Sequence, residues 1–182
     1  MFTRNAWRRL LLAAGGSALL AGAAAAQQGP GLGVAVTPED LAPWDISIQP
    51  DGTGLPPGSG TAAQGATIYA QKCIACHGEG GVGQPNDRLV GGQGTLTELR
   101  QVRTVGSFWP YASTVFDYIR RAMPFLEPQS LTNDEVYALT AYLLAENGII
   151  NRRSTMNART LARVEMPNRD GFILAYPRRS DR

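Results

Sequence analysis

The stretch Cys73-Ile74-Ala75-Cys76-His77 decides how the rest of this chain is interpreted. Two cysteines three positions apart, followed directly by a histidine, form the pattern by which haem is attached covalently to a protein. The two thiols bond to the two vinyl groups of one haem, and the histidine offers a ring nitrogen to the iron as proximal ligand. The sequence therefore predicts one covalently attached haem c, bonded to Cys73 and Cys76, with His77 on the iron.

Other uses of the motif fit the sequence less well. A tetrahedral zinc site needs two more cysteine or histidine ligands, whereas the chain contains 2 Cys and 1 His in all. A thioredoxin-like redox pair belongs to a βαβ context, and the sequence does not show one. A structural disulfide across two intervening residues is uncommon. Haem attachment is therefore the preferred interpretation.

A helix is predicted to lead into this motif. Thr61 and Gln64 form a capping box at its start. Gly65 follows and costs about 1 kcal/mol relative to alanine inside a helix, which indicates a close contact with another helix. Gly65 and Tyr69 share a face because they are four residues apart. We expect that face to meet a later helix at Tyr142.

A glycine-rich segment from Gly78 to Gly94 follows the motif. This composition predicts a loop that runs around the edge of the haem. A backbone carbonyl near Pro85 is a candidate acceptor for the outer ring nitrogen of His77, and such a bond fixes the tautomer of a metal-binding histidine.

Two further helices are predicted after the loop. The first ends at Met123, because Pro124 disfavours helical backbone in the residue before it. The second begins at a capping box formed by Thr132 and Glu135, and it ends at Gly148. A small helical fold is therefore predicted around the motif.

The distal iron ligand is predicted to be a methionine, because the chain has no second histidine. Met1 lies in a predicted leader, and Met156 lies in a polar run. Met123 and Met166 both precede a proline, but only Met123 lies between two predicted helices that can close over it. Met123 is therefore the predicted distal ligand. With both axial positions filled by the protein, electron transfer is favoured over catalysis at the haem.

Residues 1–26 have the pattern of a cleaved secretory signal, with basic residues, an apolar run from Leu10 to Leu20 and small residues at 24–26. A retained membrane anchor is the alternative, but the apolar run is short and interrupted by glycines. Cleavage removes three arginines and nearly balances the 17 basic and 15 acidic residues. The sequence thus predicts a periplasmic protein without a membrane span after processing, and it does not favour a nucleic-acid binder.

The segments on either side of the predicted helices differ in composition from them. The predicted organisation is a signal peptide at 1–26, a Pro/Gly-rich arm at 27–60, a helical haem-binding domain at 61–148 and a C-terminal extension at 149–182. In the arm, Ile46 and Ile48 alternate with polar residues and suit a short strand. The extension is rich in arginine with little periodicity. Each segment is interpreted either as a loosely packed surface segment or as a docking surface for a partner.

The capped helix, the haem motif, the glycine-rich loop, the Met-Pro pair and the last helix together resemble a class I cytochrome c over residues 61–148. Longer strings resemble the cytochrome c subunit of the Sox-type sulfite or sulfane dehydrogenases of sulfur-oxidising bacteria. These strings are Trp44-Asp45-Ile46-Ser47, Pro50 to Gly60, Thr104 to Ala112, Asp117 to Pro124, and Met166 to Phe172.

This resemblance implies an all-α, class I cytochrome c fold around one covalent haem, with extended N- and C-terminal arms. In that family the cytochrome receives single electrons from a molybdenum-cofactor subunit that oxidises the sulfur compound, and it passes them to a further cytochrome or oxidase. The chain is therefore expected to be an electron-transfer subunit and not an enzyme by itself. Some members carry a second haem domain, whereas this chain has one attachment motif.

Two other functions stay open at this point. The first is a free cytochrome that shuttles electrons between other dehydrogenases and a terminal oxidase. The second is a haem enzyme or gas sensor whose distal iron position is open. Binding of carbon monoxide to the ferrous protein distinguishes the second function from electron transfer.

Overall fold

The computed structural model describes residues 32–173 and 175–176. The predicted signal segment at 1–26 lies outside these residues. The chain divides into two compact units after Asp45. In the described part of the first unit, Pro38–Leu41 forms a short helix, α1, which begins with a capping box formed by Thr37 and Asp40. Over the described residues, no helix is both long and apolar enough to cross a membrane.

The regular secondary structure of the second unit is mostly helical, as predicted. Two 3₁₀ turns, Glu79–Gly81 and Thr95–Thr97, lie in its loops. Its other elements in chain order are β1 (Ser59–Thr61), α2 (Ala62–Lys72), α3 (Ile74–His77), α4 (Ala112–Ala122), α5 (Asn133–Glu146), β2 (Thr155–Asn157) and α6 (Ala158–Leu161).

The three predicted helices are confirmed as α2, α4 and α5. Both predicted capping boxes form: the Thr61 hydroxyl accepts the backbone N–H of Gln64, and the Thr132 hydroxyl accepts that of Glu135. Helix α4 ends at Ala122, with Met123 in extended conformation as its cap (φ −124°, ψ 145°). These ends follow from local sequence because capping groups lie within three residues of the backbone they satisfy.

Helices α2 and α5 pack closely at the predicted glycine. A Cβ on Gly65 would collide with the backbone carbonyl of Ala138 and would lie 2.7 Å from the Cβ of Tyr142. One helical turn further on, the rings of Tyr69 and Tyr142 lie 5.0 Å apart between centroids. The predicted contact of Gly65 and Tyr69 with a later helix is therefore confirmed.

The core is centred on α5, most of whose side chains are buried. Phe116 of α4 packs on Tyr137 of α5 at 4.4 Å between ring centroids, and both side chains are 0% exposed. Burying two aromatic rings in such a contact contributes about 0.5–1.5 kcal/mol beyond the area removed from water. Helices α4 and α2 are thus held against one central helix, and the haem motif follows α2 directly.

The C-terminal segment contributes to this core. Strand β2 pairs antiparallel with β1, so that Met156 lies opposite Gly60. Met156, Leu161 and Met166 are 4%, 1% and 3% exposed. A loosely packed tail is therefore the wrong description of residues 155–166, because these three apolar side chains are removed from water.

The segment before β1 also packs on the helices. Ile48 is 6% exposed, the Ser113 hydroxyl donates to the carbonyl of Pro50 at 2.8 Å, and the Tyr137 hydroxyl donates to that of Pro56 at 2.8 Å. The short strand expected at Ile46 and Ile48 does not form, because the backbone turns here and Gln49 N–H donates to the carbonyl of Thr53. The division of the chain at residues 60 and 148 stays a prediction.

An ion pair between Lys72 and Glu135 joins the end of α2 to the start of α5, at 2.8 Å between Nζ and Oε1. The hydrogen bond from Lys72, followed by that from the backbone of Thr132, lowers the pKa of the Glu135 carboxyl from its ordinary value of 4.5. A carboxyl whose pKa is lowered on folding stabilises the folded state at neutral pH, and this contribution is lost as the pH falls through the folded-state pKa.

We therefore expect Glu135→Gln to flatten the fall in unfolding free energy below about pH 4.5. At pH 7 the loss should be about 1 kcal/mol or less, because the pair is partly exposed. Urea unfolding over a series of pH values measures both quantities. Lys72→Met removes the partner of Glu135, so the unfolding free energy should also depend less on pH over the same range. A pH profile unchanged in both variants would contradict the prediction.

Candidate haem site

The motif forms a single helical turn that continues from α2. Cys73 N–H donates to the carbonyl of Tyr69 at 2.9 Å, and His77 N–H donates to the carbonyl of Cys73 at 3.0 Å. Both thiols are free; the Cys76 side chain is exposed and the Cys73 side chain is half-buried. Burial raises the pKa of the Cys73 thiol to about 11. The two thiols and the imidazole are therefore presented by one rigid turn.

The His77 ring is fixed by a backbone carbonyl. Its Nδ1 lies 2.8 Å from the carbonyl oxygen of Asp87. A carbonyl only accepts hydrogen bonds, so Nδ1 carries the proton and the lone pair of Nε2 is left for a metal. The expected acceptor near Pro85 is thus found two residues later, at Asp87.

The loop after the motif is held against the same turn. Tyr69 donates its hydroxyl to the carbonyl of Gly78 at 2.9 Å, and burial raises the pKa of Tyr69 to about 12, which keeps this donor protonated. Gly83 N–H donates to the carbonyl of His77 at 2.9 Å. Gly78 has φ +73°, and a Cβ there would lie 2.5 Å from the carbonyl oxygen of Gly83. Glycine is required at this position because the loop turns back onto the histidine.

Met123 lies at the end of α4 and borders the main core. Its side chain is partly buried and packs against the same hydrophobic cluster as Cys73. Its backbone N–H donates to the carbonyl of Ile119 at 3.0 Å, which closes the helix. Phe125 and Leu126, just beyond it, are 78% and 88% exposed. Met123 is therefore held by a helix end, with apolar side chains exposed beside it.

The two other described methionines are part of the core. Met156 lies opposite Gly60, at the start of α2, whereas the motif follows the end of that helix. An 11-residue helix is roughly 16 Å long at 1.5 Å per residue. Met166 is 3% exposed and its side chain is fully packed. This arrangement favours Met123 over both as the distal ligand.

The donor set at the motif fits haem c. Two free thiols lie within one turn, and a single imidazole has its Nε2 available. In the part of the chain that the structure describes, no three His, Cys, Asp or Glu side chains gather to form a different metal site. When bound, the haem supplies an iron that accepts and releases one electron.

The sequence did not indicate which residues hold the loop that carries the Asp87 carbonyl. Asn147 was assigned only to the end of α5, yet its buried side chain contacts Leu89 and Gly91. Thr104, in a string quoted above only for its resemblance, donates its hydroxyl to the carbonyl of Gly91. These contacts join residues far apart in the chain, so no local pattern signals them.

The comparisons with known proteins agree with this geometry. Residues 60–143 match the family model described as cytochrome c oxidase, cbb3-type, subunit III. The chain is also similar to a chain of the crystal structure of the sulfane dehydrogenase SoxCD from Paracoccus pantotrophus, at 43% identity and a TM-score of 0.76, covering 84% of this chain and 74% of that one. No curated protein sequence matches significantly. The chain belongs to the c-type cytochromes, in the family of the cytochrome of this sulfane dehydrogenase.

Proposed function

We propose that this protein is a periplasmic monohaem cytochrome that accepts single electrons from a molybdenum-cofactor dehydrogenase acting on a sulfur compound. It would pass them to a further cytochrome or to an oxidase. The observation that carries this proposal is the 43% identity to a chain of SoxCD over 84% of this chain. That likeness extends beyond residues 60–143, where the cytochrome family model matches.

The proposed haem is bonded to Cys73 and Cys76, with His77 and Met123 on the iron. The chain contributes a fixed imidazole, because the Asp87 carbonyl holds Nδ1 at 2.8 Å. With both axial positions filled by protein side chains, no coordination site is open to a substrate. The protein therefore transfers electrons and leaves the oxidation of the sulfur compound to its partner.

The proposed location follows from the sequence of residues 1–26. A cleaved leader of this kind delivers the chain to the periplasm. The mature protein then begins near Gln27, which mass spectrometry of the purified protein would detect directly. The same spectrum reports how many haems are covalently bound, and we expect one.

The experiment that tests the proposal is purification of the haem-loaded protein from its native periplasm. We expect a larger molybdenum-containing subunit to copurify, and sulfite or a sulfane compound to reduce the haem in the visible spectrum. A Cys73→Ala/Cys76→Ala variant, purified in the same way, should show no haem reduction. A haem-loaded protein that runs alone and stays oxidised would instead indicate a free shuttle.

A further inference from the structure

We propose that Asn147 is a positioning residue for the proximal histidine. It would act through the loop that supplies the Asp87 carbonyl to His77. The inference rests on the proposed function, because it assumes that His77 binds the haem iron. It assigns a role to a side chain at the far end of α5, outside the haem motif.

The Asp87 carbonyl lies in a loop that is tied down on both sides. On one side, Asn86 N–H donates to the carbonyl of Cys76 at 2.8 Å. On the other side, Leu89 N–H donates to the carbonyl of Gly81 at 2.8 Å. Val90 N–H also donates to the Gly81 carbonyl, at 3.0 Å, and the chain just beyond it is held by Asn147.

Asn147 holds this second side with both ends of its amide. Its Oδ1 accepts the N–H of Gly91 at 2.9 Å, and its Nδ2 donates to the carbonyls of Leu89 at 3.2 Å and Leu143 at 2.8 Å. The side chain is 8% exposed, so water does not readily replace these bonds. The bond to Leu143 fixes the amide to α5, and the bonds to Gly91 and Leu89 hold the loop against it.

The turn at residues 104–107 closes on Asn147 from the opposite side. Val105 N–H donates to the same Leu89 carbonyl at 3.2 Å, and the Thr104 hydroxyl donates to the carbonyl of Gly91. A Cβ on Gly106 would collide with Oδ1 of Asn147. The loop is therefore clamped between this turn and one amide side chain.

Loosening the clamp should weaken the bond from Nδ1 of His77 to Asp87. This bond raises the basicity of a metal-bound imidazole and so stabilises ferric iron. In Asn147→Ala, the Gly91 N–H and the Leu89 carbonyl lose their amide partner. We expect faster solvent exchange of the Nδ1 proton and a higher reduction potential.

The test is made on the full, haem-loaded protein in its ferrous, diamagnetic state. His77 is the only histidine, so its Nδ1 proton is assigned in the NMR spectrum without ambiguity. We expect exchange up to about tenfold faster in Asn147→Ala than in the wild type, because the net contribution of a hydrogen bond, about 0.5–1.5 kcal/mol, corresponds to at most about that change. Asn147→Asp keeps the acceptor for the Gly91 N–H but replaces the donor to the Leu89 carbonyl by an acceptor. The Nδ1 proton of His77 should therefore exchange faster in this variant too.

Asn157→Ala is the matched control, because it removes two accepted hydrogen bonds at the start of α6 without touching the loop. It should lower the unfolding temperature and leave the exchange rate and potential unchanged. Wild-type exchange and potential in a folded Asn147→Ala or Asn147→Asp protein would overturn the inference alone. A wild-type protein without covalent haem would overturn both the inference and the proposed function.

Discussion

A ferrous, haem-loaded Met123→Ala protein is expected to bind carbon monoxide at about one molecule per haem, whereas the wild type should bind almost none. The thioether of Met123 is the proposed distal ligand, and its removal opens the sixth position of the iron to a small ligand. The reduction potential should also fall, because methionine ligation raises it. Carbon monoxide titration followed in the visible spectrum, with a potentiometric titration, measures both effects.

Met156→Leu and Met166→Leu are the matched controls, because both side chains are buried in the core. A swap that conserves volume should cost less than about 1.5 kcal/mol of stability, and the haem spectrum should stay as in the wild type. If wild-type protein bound carbon monoxide readily and Met123→Ala changed nothing, the distal site would be open. The protein would then be a haem enzyme or sensor, and the electron-transfer proposal would fail.

The second large effect is expected from Gly65→Ala. In an isolated helix this change is favourable by about 1 kcal/mol. Here the added methyl group would collide with the carbonyl of Ala138, so α2 and α5 must move apart along their contact. An overpacking cost of about 3 kcal/mol, less the gain of about 1 kcal/mol in propensity, leaves an expected net loss of about 2 kcal/mol in the free energy of unfolding, measured by urea denaturation of the haem-loaded protein.

Ala66→Gly, at the next and exposed position of the same helix, separates packing from helix propensity. It should lose about 1 kcal/mol through propensity alone. The two substitutions are opposite in chemistry but should both destabilise, and Gly65→Ala should do so more strongly. An increase in stability with Gly65→Ala would show that the helices tolerate a larger separation at this point.

The parts of the fold that were predictable are those with local causes. Thr61 with Gln64 and Thr132 with Glu135 satisfy backbone groups three residues away, so they define helix starts without any tertiary contact. The pairing of β1 with β2 was missed because each strand has only three residues. An alternating pattern needs four or more residues to be recognised, so neither strand carries one.

The candidate site also contains residues that the local sequence predicted and residues that it did not. The cysteines and the histidine lie within five consecutive residues, and their chemistry is evident from the motif alone. The carbonyl that orients His77 cannot be recognised from a residue type, because any residue supplies a backbone oxygen. It was predicted near Pro85 only from the position of that loop after the motif. Asn147 contacts a loop that lies 56 residues earlier in the chain. A single sequence does not show that two residues so far apart are close in space.

The pairing of β1 with β2 also determines when this protein can finish folding. Met156 lies 80 residues after Cys76 in the chain, so it becomes available for folding after the cysteine pair does. Until then Gly60 has no strand partner, and Leu161 and Met166 are missing from the core. The contact links the two ends of the folded unit, so closure of the core comes late, while the cysteine pair is made early and stays accessible to modification in the meantime.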